Sequence, residues 1–447
     1  VNPTAVLIEK LWNQQFHRLY GLPYPPIRQF LQTSQYWLPA EREAYQVLHL
    51  NSLIASAVAG SPFYHKRFAG HESHIDSLAA LHQLPKITKR DILANISTIT
   101  MASATDRSFA HTTSGSTGDP LKVTISAKAA AFRCAGHQRL YEWWGLRSYD
   151  RSALLWGRKL TVPPPQRDDV LKRLRAAVRY ATIDRQFFID VFDLNRDSVS
   201  GIYRKLVAYK PRYLRGYKSG VLQLAELLRE LNLSGDRLAL KLVVVTSEVL
   251  LPDERQFMEA VFQCPVANEY GAAEAGLFAV ECPQQKLHVY EEAVALLAGE
   301  SGEVLVSELF NRQTPLINYL NGDAIEVSNE QCRCGRTLRV VDAVKGRFVD
   351  TVRTVSGDSL SPYIIYYAVK ELDDIDLGQS IQKYKVIQRG NSFEFIVVPD
   401  RNYGIGVVEY LTGRLKSKVG QEIEVRFTIV DEIPREKSGK LRFFVRE

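Results

Sequence analysis

Apolar positions recur at helical spacing from Ala5 to Leu19 and again from Ala40 to Ala59, the second run opening just after Pro39. Loops are predicted at LPYPP, residues 22 to 26, and at Gly60-Ser61-Pro62. Ala127 to Trp144 keeps the helical period, Ser152 to Trp156 is short and strand-like, and Pro163-Pro164-Pro165 breaks the chain before a further basic helix. The two textures then alternate. Val199 to Tyr209, Gly220 to Leu231 and Asp253 to Phe262 read as helices, with buried strands at Leu240 to Val245 and Cys264 to Asn268. Such alternation predicts an α/β domain with a partly parallel sheet. From Gly299 to Val341 short strands and turns take over. Beyond them, helices at Tyr363 to Leu372 and Val407 to Val419 with strands at Glu394 to Val398 and Val425 to Val430 predict a small α+β domain.

A chain of 447 residues is too long for one ordinary core, so two or three domains are expected. No apolar run approaches a membrane span, and the first twenty residues mix charges into a helical pattern unlike a signal peptide. With five cysteines, an odd number, a reducing compartment is expected, hence the cytoplasm. The net charge of +7 is spread among 50 acidic residues and suits an anionic small molecule. Its densest patch, Arg158 to Arg185, places Lys172, Arg173, Arg175 and Arg179 at helical spacing, the pattern of a solvated helix face. No zinc-finger spacing, RNA-binding aromatic signature or basic zipper accompanies it, which counts against a nucleic-acid partner.

The stretch HTTSGSTGDPLKV, from His111 to Val123, gathers Thr113, Ser114, Ser116 and Thr117 around Gly115 and Gly118, so that hydroxyls and backbone N–H groups can converge on one anion. It is not a P-loop, because Pro120 stands five places after Gly115 and the nearest lysine is Lys122. A plain surface turn has the same composition. A second constellation, Cys282 and His288 followed by Cys332 and Cys334, offers four ligands suited to tetrahedral zinc. Its C-x-C spacing is tighter than the usual C-x2-C, and buried free cysteines are common, so spacing alone leaves both readings open. Cys134 and Cys264 read as core.

Four segments follow the Ser/Thr/Gly loop in order: NEYGAAEAG at 268 to 276, NYLNGD at 318 to 323, KGRFVD at 345 to 350 and PREKSGKLR at 434 to 442. Together the five resemble the adenylate-forming superfamily. The stretches at 211 to 228, 244 to 262 and 332 to 347, with the displaced Lys122, are similar to its phenylacetate–CoA ligase-like, CapK-like branch. The resemblance implies ATP-dependent activation of a carboxylic acid as an acyl-adenylate, with release of pyrophosphate. Transfer to a thiol, coenzyme A or a carrier protein, would follow, with an amide-forming transfer to an amine or amino acid as the alternative. A non-catalytic nucleotide-binding or assembly protein is the reading from another class.

The resemblance also implies a role for each matching residue. Glu274 would associate with Mg²⁺ beside the phosphates, and Thr113 and Lys440 would join it in catalysis. Tyr270 would stack on adenine, with Gly271, Ala272, Ser247 and Glu248 completing the wall. Asp323, expected at a turn after Gly322, would accept both ribose hydroxyls, and Arg347 would reach ribose or phosphate oxygens. Cys282, His288, Cys332 and Cys334 would form a closed structural zinc site. The implied organisation is an α/β fold in which a large multi-subdomain adenylation domain, 1–346, is joined by a hinge at 347–350 to a small mobile α+β domain, 351–447. Val349, where relatives carry an acidic residue, and RTVSGDSLSP at 353 to 362 depart from the family pattern. Trp143, Trp144 and Trp156 with Tyr141 and His137 are candidates for an apolar acid pocket, against core packing as the commoner fate of such residues.

Overall fold

The strand Leu242–Thr246 is LVVVT and is buried throughout, as a central parallel strand must be. Its side chains alternate between two cores. Val243 and Val245 join Leu155, Leu214, Val221, Leu224 and Met258, while Leu242 and Val244 join the larger cluster beneath the N-terminal helices. The computed structural model describes residues 3–101, 107–112, 121–157, 185–299, 302–347, 351–360, 362–436 and 442–447. Among these residues the main sheet has twelve strands.

Its parallel half runs, in spatial order, Gln186–Asp190, Ser152–Trp156, Tyr213–Tyr217, Leu242–Thr246 and Val266–Ala272. The helices Arg196–Tyr209, Lys218–Glu230 and Pro252–Phe262 supply one covering layer. After Val266–Ala272 the chain reverses, and Gly276–Glu281 and Leu287–Val289 continue the sheet antiparallel. Val340–Arg347, Tyr319–Ser328, Glu303–Glu308 and Val294–Ala298 follow, and the short Ile87–Thr88, paired with Tyr319–Ser328, is the twelfth strand. The helices Tyr24–Ser34, Pro39–Gly60 and Ala127–Trp143 pack into the larger core with this half.

Residues 1–321 and 325–344 form one compact unit, and residues 322–324 with 345–447 form a second. The second unit holds a four-stranded sheet, in spatial order Glu424–Ile429, Ser392–Pro399, Ile381–Arg389 and Phe444–Arg446. Phe393, Phe395 and Val397 face the helices Tyr363–Lys370 and Ile405–Val419 in its own core.

The mixed α/β class and the alternating middle of the chain are as the sequence predicts, with boundaries moved by a few residues. Two local expectations change, and one strand was not anticipated. LPYPP is not simply a loop: Pro25 and Pro26 occupy the first turn of the helix Tyr24–Ser34, where a missing N–H costs nothing. Gly322-Asp323 does not make a turn but lies within the ten-residue strand Tyr319–Ser328, broken locally by Gly322 at φ +87°. YLRGY at 213 to 217, charged and glycine-containing, is a parallel strand. The basic helix expected after Pro163–Pro165 lies outside the described residues.

Candidate functional site

The helix Ala127–Trp143 begins where Ser126 caps it, accepting from the Ala129 N–H and donating to the Phe310 carbonyl. This anchors the first turn to the Leu309–Asn311 segment and sets the direction of Arg133. The Arg133 guanidinium makes a forked pair with buried Glu308, Nε to Oε1 at 2.7 Å and Nη2 to Oε2 at 2.8 Å. It also donates to the carbonyls of Ala273, at 3.2 Å, and Glu274, at 2.9 Å. The turn of the YGAAE segment is thereby held by one cation. Across it, the Tyr319 hydroxyl donates to Oε1 of Glu274 at 2.9 Å. Two motifs 45 positions apart in the chain thus meet through a single hydrogen bond. His111, at the end of the strand Ser108–Thr112, also feels these charges. Partial desolvation and then Arg133 lower its pKa, and Glu274 works against them.

The turn is built for close approach. A Cβ on Gly271 would lie 2.4 Å from the Gly276 carbonyl oxygen, and Gly276 itself sits at φ +89° beneath the Arg133 side chain. Tyr270 is buried, its ring edge-on to Phe278 with centroids 5.2 Å apart. Ala272 is half-buried at the strand end. Ser247, directly after Leu242–Thr246, is exposed and adopts φ +72°. Glu248 caps the helix Lys218–Glu230, accepting from the Ser219 N–H at 2.6 Å and its hydroxyl at 2.9 Å, a duty the sequence did not reveal.

Lys122 is exposed on the strand Lys122–Ser126, paired with Thr112. Asp323 is half-buried in its strand, and Arg347 ends Val340–Arg347. Thr113, Ser114, Gly115, Ser116, Thr117, Gly118, Val349 and Lys440 lie outside the described residues. Arg133, Glu308 and His111 escaped the sequence reading. Tyr319 had a signal, as the tyrosine of NYLNGD, whereas an arginine inside a helix carries none.

The candidate acid-pocket aromatics each meet a different partner. Trp143 lies edge-on to His288, at 5.6 Å, beneath the Arg336 guanidinium. Trp144 donates to the Glu281 carbonyl. Tyr141 packs on Tyr213, and Trp156 on Tyr217 at 4.1 Å.

Cys282, His288, Cys332 and Cys334 come together, their ligand atoms all within 4.8 Å of one another. Cys282 and His288 flank a hairpin in which Leu287–Val289 pairs with Gly276–Glu281, and the C-x-C turn feeds the neighbouring strand. The Cys282 and Cys332 sulfurs are 3.7 Å apart, too far for a disulfide but close to the edge of about 3.8 Å that a tetrahedron with Zn–S of about 2.3 Å requires. Burial pushes the His288 pKa down to about 4, keeping the ring neutral. Its Nδ1–H points to the Leu338 carbonyl, 3.2 Å away, leaving the Nε2 lone pair 3.3 Å from Cys334 Sγ. The donor set fits a closed four-ligand zinc site.

Among the described residues no helix is long and apolar enough to cross a membrane. The family model of the CapK C-terminal domain matches residues 354–447. Protein CapK of Staphylococcus aureus is 23% identical over 379 residues, 83% of this chain and 81% of that protein. Phenylacetate–coenzyme A ligase of Thermus thermophilus is 23% identical over 269 residues, 52% of this chain and 60% of its own length. A 2-hydroxyisobutyryl-CoA ligase solved in its postadenylation state with 2-HIB-AMP superposes with a TM-score of 0.71 at 18% identity, covering 93% of each chain. The same enzyme with 2-HIB-AMP and CoA, in its thioesterification state, gives 0.60.

Proposed function

We propose that this chain, a homologue of CapK and phenylacetate–CoA ligase with the fold of the adenylate-forming ligases, activates a carboxylic acid with ATP and passes the acyl group to a thiol, coenzyme A. The observation that carries the reading is the Tyr319–Glu274 hydrogen bond within the Arg133 clamp. It orients one carboxylate beside a turn whose glycines let the chain and Arg133 pack closely.

In this reading the acid's carboxylate oxygen attacks the α-phosphorus of ATP and the bond to the pyrophosphate oxygen breaks. Thiolate attack on the acyl carbon then expels AMP. Glu274, with hard oxygen donors, would hold Mg²⁺, which when bound shields the phosphate charge. Arg133, bonded to the Ala273 and Glu274 carbonyls, would leave the Glu274 side chain to face the phosphates. Asp323 would accept the ribose hydroxyls, and Lys440 would neutralise charge on the phosphoryl as it transfers. Cys282, His288, Cys332 and Cys334 would hold Zn²⁺ as a clip and take no part in the chemistry.

The test is ATP–pyrophosphate exchange over a panel of acids, followed by the best acid with CoA, a carrier protein and amines. Lys440→Ala is expected to lower exchange by about 10²–10³ while circular dichroism stays unchanged, the usual worth of one charged donor in a dry site. Exchange at the parental rate would remove Lys440 from the mechanism. Formation of an amide but no thioester would replace the thiol by the amine acceptor.

A further inference from the structure

The clamp helix carries a second base one turn beyond Arg133. Arg133 and His137 are four residues apart and lie on one face. Arg133 holds the turn after Tyr270, whereas His137 reaches the residue before it. Its Nδ1 is 3.1 Å from Oε2 of Glu269. The other oxygen of Glu269 accepts from Arg215, from Nε at 3.0 Å and from Nη2. The Glu269 side chain is only 2% exposed, but those of His137 and Arg215 are 28% and 23% exposed, so two bases reach outward from one buried carboxylate. Burial alone would raise the Glu269 pKa; Arg215 first and His137 next outweigh it and hold the carboxyl far below the ordinary range.

An ionised carboxylate only accepts, so the hydrogen between the two rests on His137 Nδ1. Nε2 is then the ring's remaining hydrogen-bonding atom. Nη1 of Arg215 remains a donor. Neither atom has a hydrogen-bond partner among the described residues. Beside them the Arg215 guanidinium lies 5.4 Å from the ring centre of Trp156, which packs on Tyr217. Trp156 and Tyr217 are the last residues of two parallel strands, and open α/β sheets take their ligands at the carboxyl ends of such strands.

We infer that Arg215 and His137 are the specificity-determining pair of the acid subsite, and that the acid is a hydroxy acid whose hydroxyl, able both to accept and to donate, accepts from Arg215 Nη1, bonds His137 Nε2 and lies beside Trp156. The alternatives each lose a contact. A hydrocarbon chain would strip water from both atoms and replace nothing. A second carboxylate would set another negative charge beside Glu269, which Arg215 already pairs, and an ammonium group would face the guanidinium. This inference rests on the adenylation reading and names its substrate class.

The experiment compares matched acids in pyrophosphate exchange: hydroxybenzoates against benzoate and methylbenzoates, and short aliphatic hydroxy acids against their deoxy counterparts. The hydroxylated member of the preferred pair is expected to have a kcat/KM at least about 10²-fold higher, because a site built to bond a hydroxyl rejects the analogue lacking it. His137→Phe and Arg215→Met should reduce that ratio to less than about 10-fold. Arg215→Met leaves Glu269 buried without its main partner, so partly exposed His137 carries the decisive variant. A structural role for His137 would lower both members of a pair equally and leave the ratio unchanged, which overturns the assignment. Exchange that is equally fast with both members in the unaltered protein overturns the substrate class while adenylation stands. Exchange with no acid of either kind removes the adenylation reading itself, and this inference with it.

Discussion

In the parallel half of the large sheet the strand Leu242–Thr246 is apolar up to its last residue, and both its faces meet hydrocarbon. In the antiparallel half the same layer is crossed by buried charge. Arg139 forks onto Glu292 at 2.7 and 2.9 Å, and Arg42 and Arg339 both pair with Glu291, at 3.0 and 2.8 Å. Asn318, 1% exposed, donates to the carbonyls of Leu81 and Leu84. The reason lies in the connections. Parallel strands are joined by helices that satisfy their own backbone, whereas Tyr290–Ala293 and Phe310–Asn318 run as irregular chain through the core, and buried irregular backbone needs side-chain partners. Apart from the Arg215–Glu269 pair, hydrocarbon therefore holds one half, and a polar frame closed by the Cys/His cluster holds the other.

Removing the metal should separate the halves most sharply. With zinc bound as proposed, Cys332→Ser or prolonged chelation should cost several kcal/mol, given apparent binding energies of about 10 kcal/mol or more for structural zinc at neutral pH. Hydrogen exchange should then quicken first in Gly276–Val289 and Val340–Arg347, and later in Leu242–Thr246. Protein purified without added metal should contain one zinc per chain. A zinc-free chain with unchanged melting temperature and exchange would remove the cluster from the frame.

Arg139→Met tests the frame without touching the cluster. It leaves Glu292 buried with only the Ser34 hydroxyl, at 2.5 Å, where breaking a buried pair costs about 3–5 kcal/mol. Arg139→Met combined with Glu292→Met should recover much of that loss, because the penalty belongs to the orphaned charge. A double variant as unstable as the single one would mean that Arg139 acts through its packing on Tyr290. The counterpart in the parallel half is Leu224→Ala, at a fully buried position of the second core, for which a loss of about 3 kcal/mol is expected from transfer and cavity together. Its hydrogen-exchange signature should centre on Ser152–Trp156 and Lys218–Glu230. If antiparallel strands opened equally, the halves would be one cooperative unit.

The two halves were also unequally legible. Helix spacing and the LVVVT run place the parallel half within a few residues, because both faces of such a strand are apolar and nothing else accounts for the run. YLRGY was missed because Arg215 makes sense in a strand only once Glu269 is seen two strands away. The motifs singled out Glu274 and Tyr270, and the family resemblance, where spacing left two readings open, singled out the four Cys/His residues that lie together. Arg133 and Glu308 were illegible as site residues. Their roles depend on which side chain of a long helix faces which carbonyl, and nothing local encodes that. Glu248 shows the converse, a motif residue whose observed partner is a helix end.

The smallest expected effect falls at Ser247, where the parallel half departs from its own pattern. It follows the fully apolar strand directly, yet adopts φ +72°, a left-handed conformation that costs an ordinary residue roughly 1–2 kcal/mol. Strain of this kind is retained where the surroundings dictate the backbone, often beside a ligand. Ser247→Gly removes the steric cost but enlarges the freedom of the unfolded chain, so the net gain should be about 1 kcal/mol or less, read as a small rise in the urea midpoint at constant slope. If Ser247 also forms part of the nucleotide wall, the same substitution should raise the KM for ATP in pyrophosphate exchange while leaving kcat nearly unchanged, because a hydroxyl binding ground and transition states alike contributes only to uniform binding. A more stable protein with an unaltered KM would make the left-handed residue a feature of the strand-to-loop reversal alone, and would leave the nucleotide wall to Tyr270, Gly271 and Ala272.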